Sequence, residues 1–380
     1  MNEERAAQVG TRVADARKRA GLTQEALGVA LGVDKTVMSK IEHGRRRLDG
    51  FELALVAEST GTTVRELLGL PERRSVLAVA ARVAVPVGPA APVLTRARQI
   101  LELDGLADEL GLPGGARPRR PVDGPAAASE KAATDLAGKL RAELGMGDGP
   151  VRDLVGLCER DCGVDVSFEP LGSDQSGLLV HSGDEVALAL VNSDEPAGRQ
   201  RFTLAHELAH HLFDDPLEVV IEGAGSEPAM ERRCDAFASE LLMPSAGVRR
   251  LIGDGPVTEA VLVDALVAFG VSREAMLNRL RKLKAITEDE RGQLLSGTAR
   301  SLFASVGRSV DFSQWDAGVT TRRAPVRVEQ RLLDGYRKGR LGIGPVATLL
   351  ARDADELRTE LADAGVIPVF ADHDHALGDL

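Results

Sequence analysis

Residues 202–213 read FTLAHELAHHLF, and no other stretch of the chain carries such informative spacing. Its apolar positions recur at helical intervals, so the segment predicts an amphipathic α-helix. On that helix His206 and His210 project from the same face, about one turn apart, which is a metal-chelating spacing. Glu207 follows the first histidine and can reach a water on the metal without binding the ion itself. The pattern H-E-x-x-H therefore predicts a metal centre on this helix.

A catalytic zinc site needs three protein ligands and an open position for water. Downstream, Pro228 predicts the start of another helix, on which Glu231 and Asp235 lie one turn apart on one face. This pair resembles the gluzincin arrangement, which implies that Glu231 is the third metal ligand and that Asp235 hydrogen-bonds a ligating histidine. Asp235 is also the alternative ligand. The same acids could instead belong to a charged, solvated helix face.

The sequence around these helices predicts an α+β domain. Short apolar or alternating runs predict strands near residues 164–168, 177–181 and 186–191. Pro196 is a predicted helix start, and Ser129 is a predicted N-cap further upstream. We expect the strand at 186–191 to be exposed, because an extended peptide substrate could then pair with it as an additional strand.

Charge is unevenly distributed along the chain of 380 residues, whose net charge is −11. Residues 151–250 contain 8 basic and 19 acidic side chains, so the excess acid lies entirely in this stretch. This balance argues against nucleic acid contacting the middle of the protein, whereas the amino-terminal third stays free to bind it.

Membrane and secretory signals are absent from the sequence. No stretch of eighteen or more apolar residues is free of charge, and the amino terminus has no apolar core of a signal peptide. We therefore expect no membrane span and a cytoplasmic location. The three cysteines form no C-x-x-C pair and are too few for a disulfide framework, so we expect them to be buried thiols.

Composition shifts and turn residues predict the organisation of the chain. Prolines and glycines between residues 111 and 127 disfavour regular structure, whereas an amphipathic piece at about 96–110 predicts a helix. Beyond residue 256 the pattern is again helical. We expect an all-α domain at 1–70, a linker with one helix at 71–127, an α+β domain at 128–253, a helical extension at 254–305, and a mainly helical C-terminal module of unknown role at 306–380.

The first seventy residues can be drawn as short helices, the last of them at 64–68. Thr23 begins one helix, Gly32 occupies a turn, and Asp34 caps the next helix. Two helices joined by so tight a turn have helix-turn-helix geometry. The run GLTQEALGVALGV from residue 21, followed by SKIEHG from residue 39, resembles the Xre/Cro-like family.

That resemblance implies that residues 34–42 form a recognition helix in the major groove of an operator. Residues 1–70 carry 11 basic and 10 acidic side chains, so we expect affinity to depend on local clustering and on a homodimer. Arg17 and Glu42 would form an internal salt bridge. Binding protein instead of DNA is the alternative for this domain. The predicted DNA contacts are Lys35, Thr36, Ser39 and Lys40 on the recognition helix and Gln24, Arg45 and Arg46 at phosphates, although the arginines could simply be a solvated charge run.

The longer run ALVNSDEPAGRQRFTLAHELAHHLF, followed by ERRCDAFASELLMP, looks like the ImmA/IrrE metallopeptidases, bacterial proteins that control repressors. The resemblance covers about residues 129–285 and implies a zincin-like fold with Zn²⁺, or alternatively Mn²⁺, held by His206, His210 and Glu231. Glu207 would be the catalytic general base. This chain has Cys234-Asp235 where the family commonly has Ala-Asn, so the hydrogen bond to the ligating histidine is changed.

These patterns together predict a multidomain protein: a helix-turn-helix domain, a zincin-like domain with a small sheet, and a helical C-terminal region. The function implied is a DNA-binding regulator with a zinc-dependent endopeptidase that cleaves a repressor-like protein or its own linker. One alternative is a transcription factor whose metal domain senses a ligand without proteolysis. Another is an antitoxin-like partner protein.

Overall fold

The structure is a computed structural model with two compact units, Met1–Arg74 and Ser75–Leu380. The described residues are mainly helical and include one small sheet, so the predicted multidomain fold class is confirmed. Within this described part of the chain, no helix is long and apolar enough to cross a membrane. The residues described are 2–31, 33–46, 48, 50–60, 62, 67, 91–114, 121–122, 129–172, 175–182, 186–215, 228–316 and 321–369.

The amino-terminal unit is helical over its described residues. Its helices are α1 Asn2–Arg19, α2 Gln24–Leu31, α3 Lys35–Glu42 and α4 Gly50–Thr60. Asp34 caps α3 as predicted, because its Oδ1 accepts a hydrogen bond from the Val37 N–H at 2.8 Å. A Cβ on Gly28 would lie only 2.7 Å from the Val33 carbonyl oxygen, so a glycine lets α2 pack closely on the turn. The predicted helix at 64–68 lies almost wholly outside the described residues.

The second unit contains the sheet, whose strands are β1 Val164–Glu169, β2 Gly177–Ser182 and β3 Val186–Asn192. The order is β1-β3-β2, with β1 parallel and β2 antiparallel to β3. Ala189 at the centre pairs with Val166 on one side and with Leu179 on the other. The expectation that the strand at 186–191 is exposed is therefore wrong. That strand is central, so both of its hydrogen-bonding edges are used within the sheet.

Helices cover both faces of this sheet, because apolar side chains alternate between two cores. Val166, Leu179 and Ala189 belong to the larger core, whereas Leu178 and Leu188 point to the other side. In chain order the helices are α5 Ala91–Glu109, α6 Glu130–Glu143, α7 Leu154–Gly156 with the π-helical turn Leu157–Asp161, α8 Ala197–Phe213, α9 Pro228–Leu242, α10 Ser245–Ile252, α11 Glu259–Phe269, α12 Arg273–Lys282, α13 Glu288–Leu295, α14 Ala299–Ser305, α15 Ser309–Asp316, α16 Val326–Arg337, α17 Ile343–Leu350 and α18 Ala354–Asp363.

The larger core joins the sheet to α6, α8 and α9 and also takes in the helices of the predicted extension at 254–305. The smaller core joins the opposite sheet face to α5 and to α16–α18. Asp104 on α5 pairs with Arg331 and, at 2.5 Å, with Arg327, which also bonds Asp165 on β1 at 2.7 Å. Segments far apart in sequence therefore meet on one sheet. The boundaries of the five predicted parts stay predictions.

Candidate metal centre and DNA-binding surface

Helix α8 places the two histidines inside the larger core. It begins after Pro196, whose missing N–H costs nothing at a helix start, and it ends at Asp214, which adopts the left-handed conformation with φ 55°. Every residue from Thr203 to Phe213 is buried. Because the helix is buried all around over these residues, close packing holds its metal-binding face in one orientation.

Three side chains converge at this face. The Nε2 atoms of His206 and His210 are 3.1 Å apart, and Oε2 of Glu231 on α9 lies 3.0 Å from the His206 Nε2. The other Glu231 oxygen lies 3.9 Å from the His210 Nε2. The two helices thus bring together the residues that the sequence nominates as metal ligands.

The opposite nitrogen of each imidazole faces a carboxylate. Nδ1 of His206 lies 3.0 Å from Oδ1 of Asp235, and Nδ1 of His210 lies 2.8 Å from Oδ2 of Asp215. A carboxylate can only accept, so in the neutral rings each Nδ1–H donates and each Nε2 presents a lone pair.

That donor set fits a divalent cation. In a tetrahedral zinc site with Zn–N distances near 2.0–2.1 Å, neighbouring ligand atoms are about 3.3 Å apart, close to the observed separation of the two Nε2 atoms. Two lone pairs and a carboxylate oxygen that face each other across this distance repel unless a cation or a proton lies between them. Imidazole and carboxylate are ligands that zinc accepts.

The electrostatics of the two histidines differ. Burial alone would lower the pKa of His206, but the hydrogen bonds to Asp235 and Glu231 and the charge of Glu207 raise the pKa to about 10. Burial lowers the pKa of His210. When no metal is bound, the extra proton of this histidine pair therefore lies on His206.

Glu207 is the candidate general base and is only 2% exposed. Strand β2 passes directly over it at Gly177, where a Cβ would collide with Cγ2 of Thr203 and lie 3.2 Å from Oε1 of Glu207. A residue without a side chain is therefore needed where the sheet meets the base. Gly177 carries no local sequence signal for this role, because the role depends on a contact with Glu207, 30 residues further along the chain.

Cys234 is a second metal-compatible neighbour of the histidines. It lies with His206 and His210 in a group whose donor atoms are all within 4.8 Å of one another. Its Sγ is 3.6 Å from Nδ1 of His210, which is the side of the ring turned away from Glu231. Burial raises the pKa of this thiol to about 12. The geometry therefore favours Glu231 over Cys234 as the third ligand.

Asp215 is a site residue that the sequence motifs do not reveal. It follows the left-handed residue that ends α8, and its carboxylate contacts both His210 and the Arg233 guanidinium. The sequence FDDP directly after the helix could have suggested it, since a turn there returns the chain toward the last helical residues. Helical periodicity alone could not, because that turn lies outside the helix.

The predicted recognition helix at 34–42 corresponds to α3, and its role stays a prediction. Lys35, Thr36 and Lys40 are exposed, and Ser39 is partly exposed. The predicted internal salt bridge is present, since Nε of Arg17 donates to Oε1 of Glu42 at 2.5 Å.

The predicted phosphate contacts differ in their surroundings. Arg45 is exposed. The Gln24 amide donates to Glu42 at 2.6 Å, and Arg46 donates to Glu52 at 2.7 Å. Gln24 and Arg46 are thus held by carboxylates of the protein itself, whereas no side-chain partner of Arg45 is found among the described residues.

Comparisons with known proteins identify both domains. Residues 8–68 match the model of a helix-turn-helix domain, and residues 159–281 match the model of the IrrE N-terminal-like domain. The chain therefore carries a helix-turn-helix DNA-binding domain and an IrrE-like metallopeptidase domain, which confirms the resemblance stated from the sequence. A domain of this class implies a divalent metal.

Two curated relatives are similar to the same region. The radiation response metalloprotease IrrE of Deinococcus radiodurans is 32% identical over 156 residues, which are 40% of this chain and 40% of the relative. Its namesake from Deinococcus deserti is 34% identical over 150 residues, 38% of this chain and 47% of the relative. The chain thus spans less than half the length of these curated relatives.

Proposed function

We propose that this protein is a DNA-binding regulator whose metallopeptidase domain hydrolyses a peptide bond in another regulatory protein or in its own segment 71–127. The observation that carries the proposal is the convergence of His206, His210 and Glu231. The charge of Glu207 is close enough to raise the pKa of His206. We assign the first three as ligands of Zn²⁺, which when bound would supply Lewis-acid charge at that point.

The chain's own groups supply the proton transfers. Glu207 would accept a proton from water and later donate it to the leaving amine nitrogen. The Asp235 and Asp215 carboxylates hold the two imidazoles with Nε2 inward. Strand β2 packs against Glu207 at Gly177, and the Glu207 side chain is buried.

The test is Glu207→Gln, which keeps the shape of the side chain and removes its basicity. Zinc-loaded wild-type and variant proteins would be incubated alone and with candidate repressors, and the products identified by mass spectrometry. We expect the variant to retain zinc and to lose at least about 100-fold in cleavage rate. Glu143→Gln, at an exposed position on α6, is the control. Equal cleavage by Glu207→Gln and wild type would refute the role of Glu207.

One observation favours a second function, in which the metal domain senses metal and does not cut. Extended substrates usually pair with an open sheet edge. Here β3 is central, and residues 177–180 of the edge strand β2 are buried, as is Glu207. In this case zinc would change DNA binding equally in wild type and Glu207→Gln, and no product would form with either protein. Mobility-shift titrations with and without zinc separate the two functions.

A further inference from the structure

Asp215 contacts both halves of the candidate metal centre. It is one of the most buried carboxylates in the described part of the chain, with its side chain 3% exposed. One carboxylate oxygen faces Nδ1 of His210 at 2.8 Å, and the other pairs with Arg233 on α9. Building on the proposed function, we propose that Asp215 is a positioning residue that orients His210 toward the metal and fixes α8 against α9.

The backbone explains how Asp215 reaches His210. A residue five positions along an uninterrupted helix would point away from the His210 face, since each residue turns by about 100°. The left-handed conformation of Asp214, φ 55° and ψ 43°, ends α8 and reverses the chain. The Asp215 N–H then donates to the His210 carbonyl at 3.2 Å. The turn thus brings the carboxylate back beside the His210 ring.

Both oxygens of Asp215 are engaged, which restricts its rotation. Because Oδ2 accepts from His210 and Oδ1 pairs with Arg233, the imidazole is held in the tautomer that presents Nε2 to Glu231. Arg233 is itself fixed, since its guanidinium lies 4.3 Å from the centre of the Phe213 ring.

Arg233 lies two residues after Glu231, so the Asp215–Arg233 pair sets the position of the helix that carries the third ligand. Asp235, by contrast, has a side chain 53% exposed and contacts His206 from the surface. Water can replace an exposed acceptor more easily than a buried one. We therefore expect Asp215 to contribute more to metal affinity than Asp235.

The experiment uses the full chain stripped of metal. Zinc affinity is measured by competition with a chromophoric chelator, and the visible absorption spectrum of the Co²⁺-substituted protein reports the ligand geometry. We expect Asp215→Asn to weaken zinc about 10- to 100-fold and to change the Co²⁺ bands. Asp235→Asn should have a smaller effect. Asp254→Asn is the matched control, because Asp254 is an exposed aspartate of the same unit in the loop after α10, and it should match wild type.

Arg233→Met separates orientation of His210 from a purely structural ion pair. It should lower the melting temperature but change the Co²⁺ spectrum less than Asp215→Asn does, because Asp215 still accepts from His210. The double variant Asp215→Asn/Arg233→Met leaves no buried unpaired charge and should fold, yet it should still bind zinc weakly. Equal loss of zinc affinity and equal spectral change in Arg233→Met and Asp215→Asn would overturn the proposal.

The outcome also distinguishes this inference from the proposed function. If His206→Ala abolishes zinc binding while Asp215→Asn and the double variant bind like wild type, the metal centre stands and the role of Asp215 fails. If His206→Ala binds zinc like wild type, the metal centre itself fails.

Discussion

At the scale of single residues, a proton and a metal ion compete for the ligand atoms of the metal centre. Two carboxylates accept from the Nδ1 atoms of His206 and His210, so both Nε2 atoms turn toward each other and toward Glu231. A proton can relieve this arrangement only on one ring. A divalent cation removes the repulsion among all three ligands at once. This site should therefore bind a metal ion better than a buried histidine pair that lacks these carboxylates would.

The pH dependence of zinc binding follows from that competition. The pKa of His206 is raised to about 10, so zinc must displace a proton from this ring at neutral pH. We expect zinc affinity to rise about tenfold per pH unit from about pH 7 toward 10, with one proton released per ion. Chelator competition at several pH values, together with proton release in weakly buffered solution, measures both. Affinity that stays constant between about pH 7 and 9 would contradict the assignment.

The same shift affects the stability of the protein prepared without metal. The folded pKa lies above the ordinary histidine value of about 6.5, so the proton stabilises the fold fully below that pH. This contribution is lost as the pH rises toward about 10. His206→Gln should remove that part of the pH dependence, which melting curves would detect.

At the scale of secondary-structure elements, α3 and the segment after it are the DNA-binding surface that we infer. Arg45 is the cleanest test, because it is exposed and Gln24 and Arg46 already have partners inside the protein. We expect Arg45→Gln to weaken binding to duplexes of any sequence and to reduce the slope of log affinity against log salt by about one.

Fluorescence anisotropy at several salt concentrations measures this slope. Lys18→Gln is the control, since Lys18 is also exposed but lies on α1 of the same unit. An unchanged slope for Arg45→Gln would exclude a phosphate contact at this residue.

At the scale of the whole molecule, residues 321–369 complete the core of the second unit. Leu178, Val180, Leu188 and Leu190 are buried against α5 and the helices α16–α18. Burial of one such side chain stabilises a fold by about 1.5–3 kcal/mol. Exposing this sheet face would therefore remove an amount comparable with the total stability of about 5–15 kcal/mol that domains typically have.

A chain that ends at residue 316 should consequently aggregate or bind the hydrophobic dye ANS. A chain that ends at residue 369 keeps α16–α18 and should melt at a higher temperature than the chain that ends at residue 316. Equal melting temperatures for all three chains would mean that the C-terminal helices contribute nothing to the sheet, and the 306–380 module would then be independent.

Much of the local structure could be predicted from the sequence. The spacing of His206 and His210, the cap at Asp34 and the three apolar runs each depend on neighbouring residues, and the structure has helices and strands at these places. The helix-turn-helix and IrrE-like domains were identifiable for the same reason, because their motifs are contiguous. The assignments of individual ligands and DNA contacts stay predictions.

What the sequence by itself determined is therefore the type of each element and the side chains that each one offers. Only the tertiary structure decided that the strand at 186–191 is central, that Asp215 turns back onto His210, and that α5 shares a core with the C-terminal helices. The physical reason is the distance along the chain over which each kind of interaction acts. Periodicity, caps and motifs act over a few residues, whereas strand order and core partners are set by packing between segments separated by up to about 250 positions, for which a single sequence carries no local signal.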